Sequence, residues 1–305
     1  MIHPVPKLAI VTPTIGRNAE LRRMLASLAR QSRRPDEVVI VDEDGSARAF
    51  VGEFPQLAIR ITTLPGSACV KRNAGIRTAD EDMTLVGFMD DDIVLEPQAI
   101  ESVMRFWESA PADLGGTCLN VLNDPPKAAL WLKGLSITSR LGLYGARKGG
   151  LSRGGFHVPF GQVSRTLYVD WVPTYCVVYA RHLLDENPFD EFFKGYSYLE
   201  DLDLSYRIGK NYRLAVVADA RFYHYPSAVG RPDSYLFGKK EVINRLYFVS
   251  KHGEFSRLLC WVSLGMRMLL SVLDGLKRRE GSHFKRAVGN LAGFFITARH
   301  GLKPV

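Results

Sequence analysis

Residues 84–92 read Thr-Leu-Val-Gly-Phe-Met-Asp-Asp-Asp, a short apolar run from Thr84 to Met89 that ends in three consecutive carboxylates. Such a run lacks the apolar–polar alternation of a half-solvated strand and suits a strand covered on both faces. Three adjacent acids repel one another, so a fold seldom gathers them without a cation to hold. Hard cations such as Mg2+ or Mn2+ take oxygen ligands of this kind, usually together with substrate phosphates. At the end of a strand, the alternate residues Asp90 and Asp92 point to the same side. The plainer alternative is a solvated acidic turn that caps the next element, with Asp92 as the cap.

The same grammar recurs upstream. Leu8–Val11 suits a buried strand, and residues 18–30 place Leu21, Met24, Leu25 and Leu28 at helical spacing behind Asn18 as N-cap. Glu37–Val41 suits a second strand, ending in Asp42, Glu43 and Asp44. Ala58–Thr62 suits a third, and residues 68–79 a helix opened by Gly66 and Ser67. Strand and helix in this alternation predict an α/β fold with a mostly parallel central sheet, right-handed crossovers and ligands beyond the carboxyl ends of the strands. The segment after strand one offers hydroxyls and a cation in Thr12, Thr14 and Arg17. Arg72 and Asn73 lie in the helix behind Gly66. With Asp42, Asp44 and Asp90–Asp92, these groups would converge on one sheet edge, with donors and acceptors suited to a base, a ribose and a pyrophosphate.

These stretches resemble the family 2 glycosyltransferases with the GT-A fold, the fold of nucleotide-diphospho-sugar transferases. The likeness runs from about Lys7 to about Lys251. It is carried by VTPTIGR (11–17), DEVVIVDEDGS (36–46), GSACVKRNAGI (66–76), GFMDDDI (87–93) and FDEFFKGYSYLEDLDLSYRI (189–208). The resemblance implies an inverting, metal-dependent transfer of a hexosyl or deoxyhexosyl unit, of the bacterial surface polysaccharide or glycolipid type. The donor would be a UDP-, dTDP- or GDP-linked sugar, and the acceptor a saccharide or lipid-linked saccharide. Thr12, Thr14, Arg17, Arg72, Asp90, Asp91 and either Asp42 or Asp44 would bind the nucleotide. Asp90 and Asp92 would form the D-x-D-like pair on Mn2+ or Mg2+, and Asp201 matches the catalytic base. Trp171 and Glu200 fall on the acceptor side. Two departures stand out: the acidic turn after strand two is one residue longer than the family's, and Trp171-Val-Pro-Thr174 lacks the glycine that often follows the tryptophan by three residues.

The residues around Asp201 support that role independently. In Leu199-Glu-Asp-Leu-Asp-Leu204, acids alternate with apolar residues at the start of a predicted helix, where the macrodipole favours a carboxylate. A base that takes the proton of an attacking hydroxyl is one reading, and simple capping the other. Asp203 is spaced to pair with Arg207. His224 ends the aromatic run Arg221-Phe-Tyr-His-Tyr-Pro226. It is read either as a third metal ligand, as related enzymes sometimes supply, or as a packed core histidine.

The 305 residues are 46% hydrophobic and 24% charged, which excludes a disordered, collagen-like or coiled-coil chain. Four widely spaced cysteines read as reduced thiols, and the N-terminus does not read as a secretory leader. Both point to the cytoplasm. The net charge of +8 is unevenly placed: residues 231–305 carry 14 Lys/Arg against 5 Asp/Glu, whereas residues 1–230 carry 26 against 27. Residues 127–165 hold seven Lys/Arg, eight glycines and no acid. That suits a mobile basic loop that closes over the site or contacts a diphosphate acceptor. Helices are expected at 234–252, 255–278 and 284–298. Leu258–Leu273, with Arg267 as its only charge, would rise about 24 Å, short of the ~30 Å hydrocarbon thickness. Ser256, Cys260, Ser263, Arg267, Ser271, Asp274 and Arg278 form a narrow polar stripe on it, leaving a wide apolar face flanked by Lys277, Arg278, Arg279, Lys285 and Arg286. An in-plane helix on an anionic membrane, peripheral on the cytoplasmic face of the inner membrane, is expected. A packed helix or a homodimer interface is the alternative. The domain layout expected is a catalytic domain at 1–230, with a nucleotide-binding half to about 95 and an acceptor half at about 96–230, and a basic helical region at 231–305. A nucleotidyltransferase would carry a glycine-rich, basic phosphate loop near strand one. A nucleic-acid-binding protein would carry a recognisable module in the basic tail, and the sequence has neither, so no nucleic-acid partner is expected.

Overall fold

The computed structural model describes residues 5–124, 140–145 and 147–304. They form two compact units that interleave along the chain. The first takes residues up to 127, 160–190 and 204–230, and the second 128–159, 191–203 and 231 to the end.

The first unit is built on a mixed sheet. Its strands are β1 (Leu8–Thr14), β2 (Glu37–Asp42), β3 (Ile59–Thr63), β4 (Leu85–Met89), β5 (Ile93–Leu95), β6 (Leu114–Val121), β7 (Leu167–Val169), β8 (Cys176–Ala180) and β9 (Arg213–His224). They lie in the order β3-β2-β1-β4-β8-β6-β9-β5, with β7 also paired to β9. The half read from the apolar runs is parallel throughout, with β2 on β3, β1 on β2 and β1 on β4. Beyond β4 the sheet is no longer mostly parallel: β8 runs antiparallel to both β4 and β6, β5 and β7 run antiparallel to β9, and only β6–β9 is parallel.

Both faces of β1 are covered. Leu8 and Ile10 join Val38 and Ile40 in a core with Leu21, Met24 and Leu25 of α1 (Asn18–Ala29) and Ile100 and Val103 of α3 (Ala99–Glu108). Val11, on the opposite face, meets α2 (Ala68–Thr78). There Gly75 allows the approach: a Cβ at that position would lie 2.2 Å from Val11 Cγ1. Ser67 caps α2 by accepting from the Val70 amide. Asn18 does not cap α1, however. Arg17 takes the N-cap position without a side-chain cap bond, and Asn18 is the first helical residue, its Oδ1 accepting from Ser46 Oγ. The short α4 (Arg181–Glu186) follows β8, and α5 (Glu200–Gly209) carries the acidic run.

The second unit holds α6 (Ser234–Lys251), α7 (Arg257–Arg278) and α8 (Gly281–His300), the last starting three residues before its expected position. Asp233 and Ser256 cap α6 and α7 by accepting from Leu236 N and Leu259 N. Helices α6 and α8 approach so closely that a Cβ on Gly289 would lie 2.0 Å from Tyr235 O. Between the three helices lies Glu241, buried and held by Arg267 (2.8 Å), Arg286 (2.8 and 3.1 Å) and Asn290 (3.1 Å). The two arginines keep its carboxyl below its ordinary value although burial alone would raise it. Residues 127–139 and 146 of the basic glycine-rich stretch belong, with 125–126, outside the described residues, apart from their place in the sequence. Of its described part, Tyr144 and Phe156 pack edge to face, and the buried Arg245 lies 4.6 Å from the Phe156 ring centroid and donates to Gly155 O.

Candidate functional site

Topology explains why three ligand-type side chains meet. Met89 ends β4, Asp90–Asp92 follow, and Ile93 opens β5. Because β5 pairs antiparallel with the end of β9, Ile93 sits opposite His224, one residue from Asp92. The result is a cluster in which ligand atoms of Asp90, Asp92 and His224 all lie within 4.8 Å of one another. His224 Nε2 is 3.1 Å from Asp92 Oδ1, and the Ser227 amide donates to Asp92 Oδ2 at 2.9 Å. Burial would raise the Asp92 carboxyl, but His224, the Ser227 amide and Arg17 together hold it below its ordinary value, so it is ionised at neutral pH. Two carboxylates and an imidazole form an O/N donor set that fits Mn2+ or Mg2+.

Asp91 points elsewhere. It is buried, accepts from Thr14 Oγ1 at 2.6 Å and pairs with Arg17 at 2.9 Å. Burial pushes it up to about 6 against those two partners. Arg17 also lies 3.8 Å from Asp92 and donates to Val229 O. Thr14, Arg17 and Asp91 thus brace the β1 end against the carboxylate turn and the segment after His224. Arg72, near the start of α2, pairs with Asp90 at 3.1 Å.

The acidic turn after β2 divides its labour. Asp42 is fully buried; its Oδ2 accepts from Ala47 N at 2.8 Å, while Oδ1 has no hydrogen-bond partner among the described residues. Thr12 Oγ1, two residues before the β1 end, is likewise buried without a partner. Asp44 is exposed and spends its carboxylate on Ser46 N, which lowers it below the ordinary range. Gly45 makes the bend with φ 78°. The additional acid, Glu43, pairs with the buried Lys71, whose Nζ also donates to Thr14 O at 3.0 Å. The sequence alone did not single out Lys71, the Ser227 amide or Tyr175, whose ring centroid is 5.1 Å from that of His224. The Lys-Arg pair in the α2 segment was the available signal for Lys71. Asn73 serves structure, its amide bonding both Phe189 O and Phe189 N.

The residues expected on the donor side, Thr12, Thr14, Arg17, Asp42, Asp44, Arg72, Asp90, Asp91, Asp92 and His224, all lie in the first unit, as does the buried Trp171, packed 5.7 Å from the Phe160 ring. Glu200 and Asp201 lie in the second unit, in the first turn of α5. Their helix follows a backbone with two non-glycine residues in the left-handed region, Ser197 (φ 54°) and Leu199 (φ 78°), a conformation costing of order 1–3 kcal/mol each and seen most often at functional sites. Asp203 is buried and bonds Lys251 Nζ and His252 Nε2, each at 2.9 Å, while Arg207 donates to Asn187 and Pro188 O.

A parallel nucleotide-type half-sheet with acids at its strand ends, continued by antiparallel strands that return a histidine to those acids, defines a GT-A transferase fold. The comparison with solved structures agrees: the chain is similar to S. aureus TarS 1-349 (TM-score 0.57, 17% identity, covering 96% of this chain and 81% of that one). It is also similar to the mannosyltransferase PcManGT from Pyrobaculum calidifontis in complex with GDP-Man and Mn2+ (TM-score 0.56, 13% identity, 96% and 88%). Residues 9–153 match the family model Glycosyl transferase family 2. An uncharacterized glycosyltransferase of Haemophilus influenzae is 32% identical over 44% of this chain and 43% of its own length. The N-acetylglucosaminyl-diphospho-decaprenol L-rhamnosyltransferase of Mycobacterium tuberculosis is 24% identical over 92% of this chain and 98% of its own. The chain spans less than half the length of the first three curated relatives it matches.

Proposed function

We propose that the protein is an inverting, metal-dependent glycosyltransferase that moves a sugar from a nucleoside-diphosphate donor to a hydroxyl of a saccharide or lipid-linked saccharide in surface polysaccharide or glycolipid synthesis. The observation that carries this reading is the Asp90–Asp92–His224 cluster, set at the β4 end of a family 2 domain beside the unpartnered, buried Asp42 Oδ1 and Thr12 Oγ1. In this reading Asp42 and Thr12 take polar edges of the nucleoside, and Asp90 takes the ribose side and a metal. Asp92 and His224 complete the metal ligands, and Arg72 supplies positive charge for phosphate. The divalent ion would offset the charge that builds on the departing diphosphate. Asp201 would accept the proton of the attacking hydroxyl, and Trp171 and Glu200 would shape the acceptor side. The solved PcManGT complex holds GDP-Man and Mn2+, and the mycobacterial relative is named for a lipid-diphosphate acceptor; both favour these classes of ligand. With such an acceptor the reaction would run at the cytoplasmic face of a membrane, with the chain peripheral to it.

Replacing Asp201 tests the chemistry. Asp201→Asn is expected to abolish release of nucleoside diphosphate in a transfer assay with membrane extract as acceptor, while donor binding stays within about twofold of wild type. Turnover at the wild-type rate would remove Asp201 from the mechanism.

A further inference from the structure

The helices α7 and α8 of the second unit are amphipathic the wrong way round for a water-soluble surface. On α7 the residues turned inward are, apart from Leu264, small or polar: Cys260, Ser263, Ser271 and Gly275 are buried, and Arg267 reaches Glu241. Ser263 Oγ donates to Leu143 O, and Tyr144 OH donates to Ser263 O. On α8 the inward residues are Ala287, Gly289, Asn290 and Gly293, with Asn290 Nδ2 donating to Gly238 O. The outward residues are large and apolar. Leu258, Leu269, Leu273 and Leu276 on α7, and Leu291 and Phe295 on α8, are each at least half exposed. Their spacings of three, four and eleven, each close to a whole number of turns, put them on one stripe per helix. A soluble monomer seldom leaves such a face to water. Small residues inside and leucines outside is the arrangement expected where the outer surroundings are hydrocarbon.

The charges beside this face choose its occupant. Lys277, Arg278, Arg279 and Lys285 cluster, exposed, where α7 turns into α8, and Arg257, Arg299 and Lys303 lie exposed at the far ends. A two-fold contact with a second copy would bring matching patches of the same sign together. Anionic headgroups instead meet that charge while the leucines enter the acyl boundary.

We infer that α7 and α8 form a two-helix, in-plane dock for the surface of an anionic bilayer, with the Leu269/Leu273 and Leu291/Phe295 stripes inserted and the basic turn lying among the headgroups. The inference deepens the membrane part of the proposed function, yet it stands on these two helices alone and survives if the transferase chemistry is wrong. It also differs from the expectation of a single amphipathic segment at 258–273, because α8 contributes a second stripe. Although α7, at 22 residues, is long and apolar enough to cross a bilayer by length and composition, its inward polar stripe is already satisfied by the protein.

The test is co-sedimentation of the full chain with vesicles of phosphatidylcholine alone and of an equal mixture with phosphatidylglycerol. Wild type is expected to pellet with the anionic vesicles and to return to solution after an alkaline carbonate wash. Leu269→Asp/Leu273→Asp/Leu291→Asp, all at exposed positions and so expected to fold with an unchanged melting transition, should lose more than about tenfold in partitioning. Lys277→Glu/Arg278→Glu/Lys285→Glu should lose about tenfold or more on anionic vesicles only. No pelleting of folded wild type would overturn the inference. So would resistance to the carbonate wash, which marks a spanning helix, or a wild-type dimer that ignores vesicles and becomes a monomer in the leucine variant. Nucleotide binding, measured in parallel, separates this outcome from a failure of the donor site.

Discussion

Asp42 and Asp44 are two residues apart, and the structure assigns them opposite work, so replacing each in turn gives a sharp test. Asp42 is fully buried; one oxygen holds Ala47 N at 2.8 Å and the other has no partner among the described residues. Asp44 is exposed and already satisfied by Ser46 N at 3.0 Å. A ligand N–H donating to a buried carboxylate contributes about 1.5–3 kcal/mol, because the oxygen is otherwise desolvated without compensation. That corresponds to about 10–150-fold in Kd. Asp42→Asn keeps an oxygen for Ala47 N but turns an NH2 group toward the ligand, so the whole of that range is expected to be lost, with little change in melting temperature. Asp44→Asn removes a solvated charge and is expected to leave Kd within about twofold. Isothermal titration of the bound nucleoside diphosphate into each variant reads both numbers. If Asp42→Asn binds like wild type while Asp44→Asn loses tenfold, the orphaned-oxygen argument is wrong and the exposed turn reads the base.

Three further perturbations follow from the same geometry. Asp92→Asn and His224→Ala should each weaken Mn2+ binding by about tenfold or more, read from the loss of free Mn2+ signal by electron paramagnetic resonance; unchanged affinity in both would take the metal away from this cluster. Glu241→Gln leaves Arg267 and Arg286 facing each other, and with both arginines about a quarter exposed the cost should be about 2–4 kcal/mol in urea unfolding at neutral pH. Because the folded carboxyl titrates below its unfolded value, that stabilisation is present above about pH 4.5 and is lost as the pH falls through the folded pKa, so the two unfolding curves should converge in acid. Gly75→Ala forces Cβ to within 2.2 Å of Val11 Cγ1 and should cost about 1–3 kcal/mol by the same assay, whereas a neutral result would mean that α2 is free to lift from β1.

What the sequence announces here is whatever is local. Apolar runs mark β1, β2 and β4, the last two running into acids, because a strand buried on both faces and the polar turn after it are adjacent in the chain. The antiparallel half gives no such sign: every position of β6 and β8 is buried, so the period of two is erased, and their partners lie tens of residues away. The same distance hid Lys71 of α2, whose partners are Glu43, just past the end of β2, and the Thr14 carbonyl at the end of β1. Asn18 looked like a cap because its side chain favours that position, but Arg17, committed to Asp91, takes it instead. The polar stripe of α7 was legible at once, whereas its direction was not. The usual expectation turns an apolar face inward, and only the positions of Leu143, Tyr144 and Glu241 show that here the polar face is the packed one.

The central claim is that Asp90, Asp92 and His224 hold a divalent ion that helps bind a nucleoside diphosphate. The most direct measurement is a calorimetric titration of UDP, dTDP and GDP into the protein with and without Mn2+. The account predicts that one nucleotide binds, that Mn2+ tightens it by about tenfold or more, and that at 100 times its Kd it raises stability by about 2.7 kcal/mol. Binding indifferent to Mn2+, or no binding by any of the three to folded protein, would contradict it.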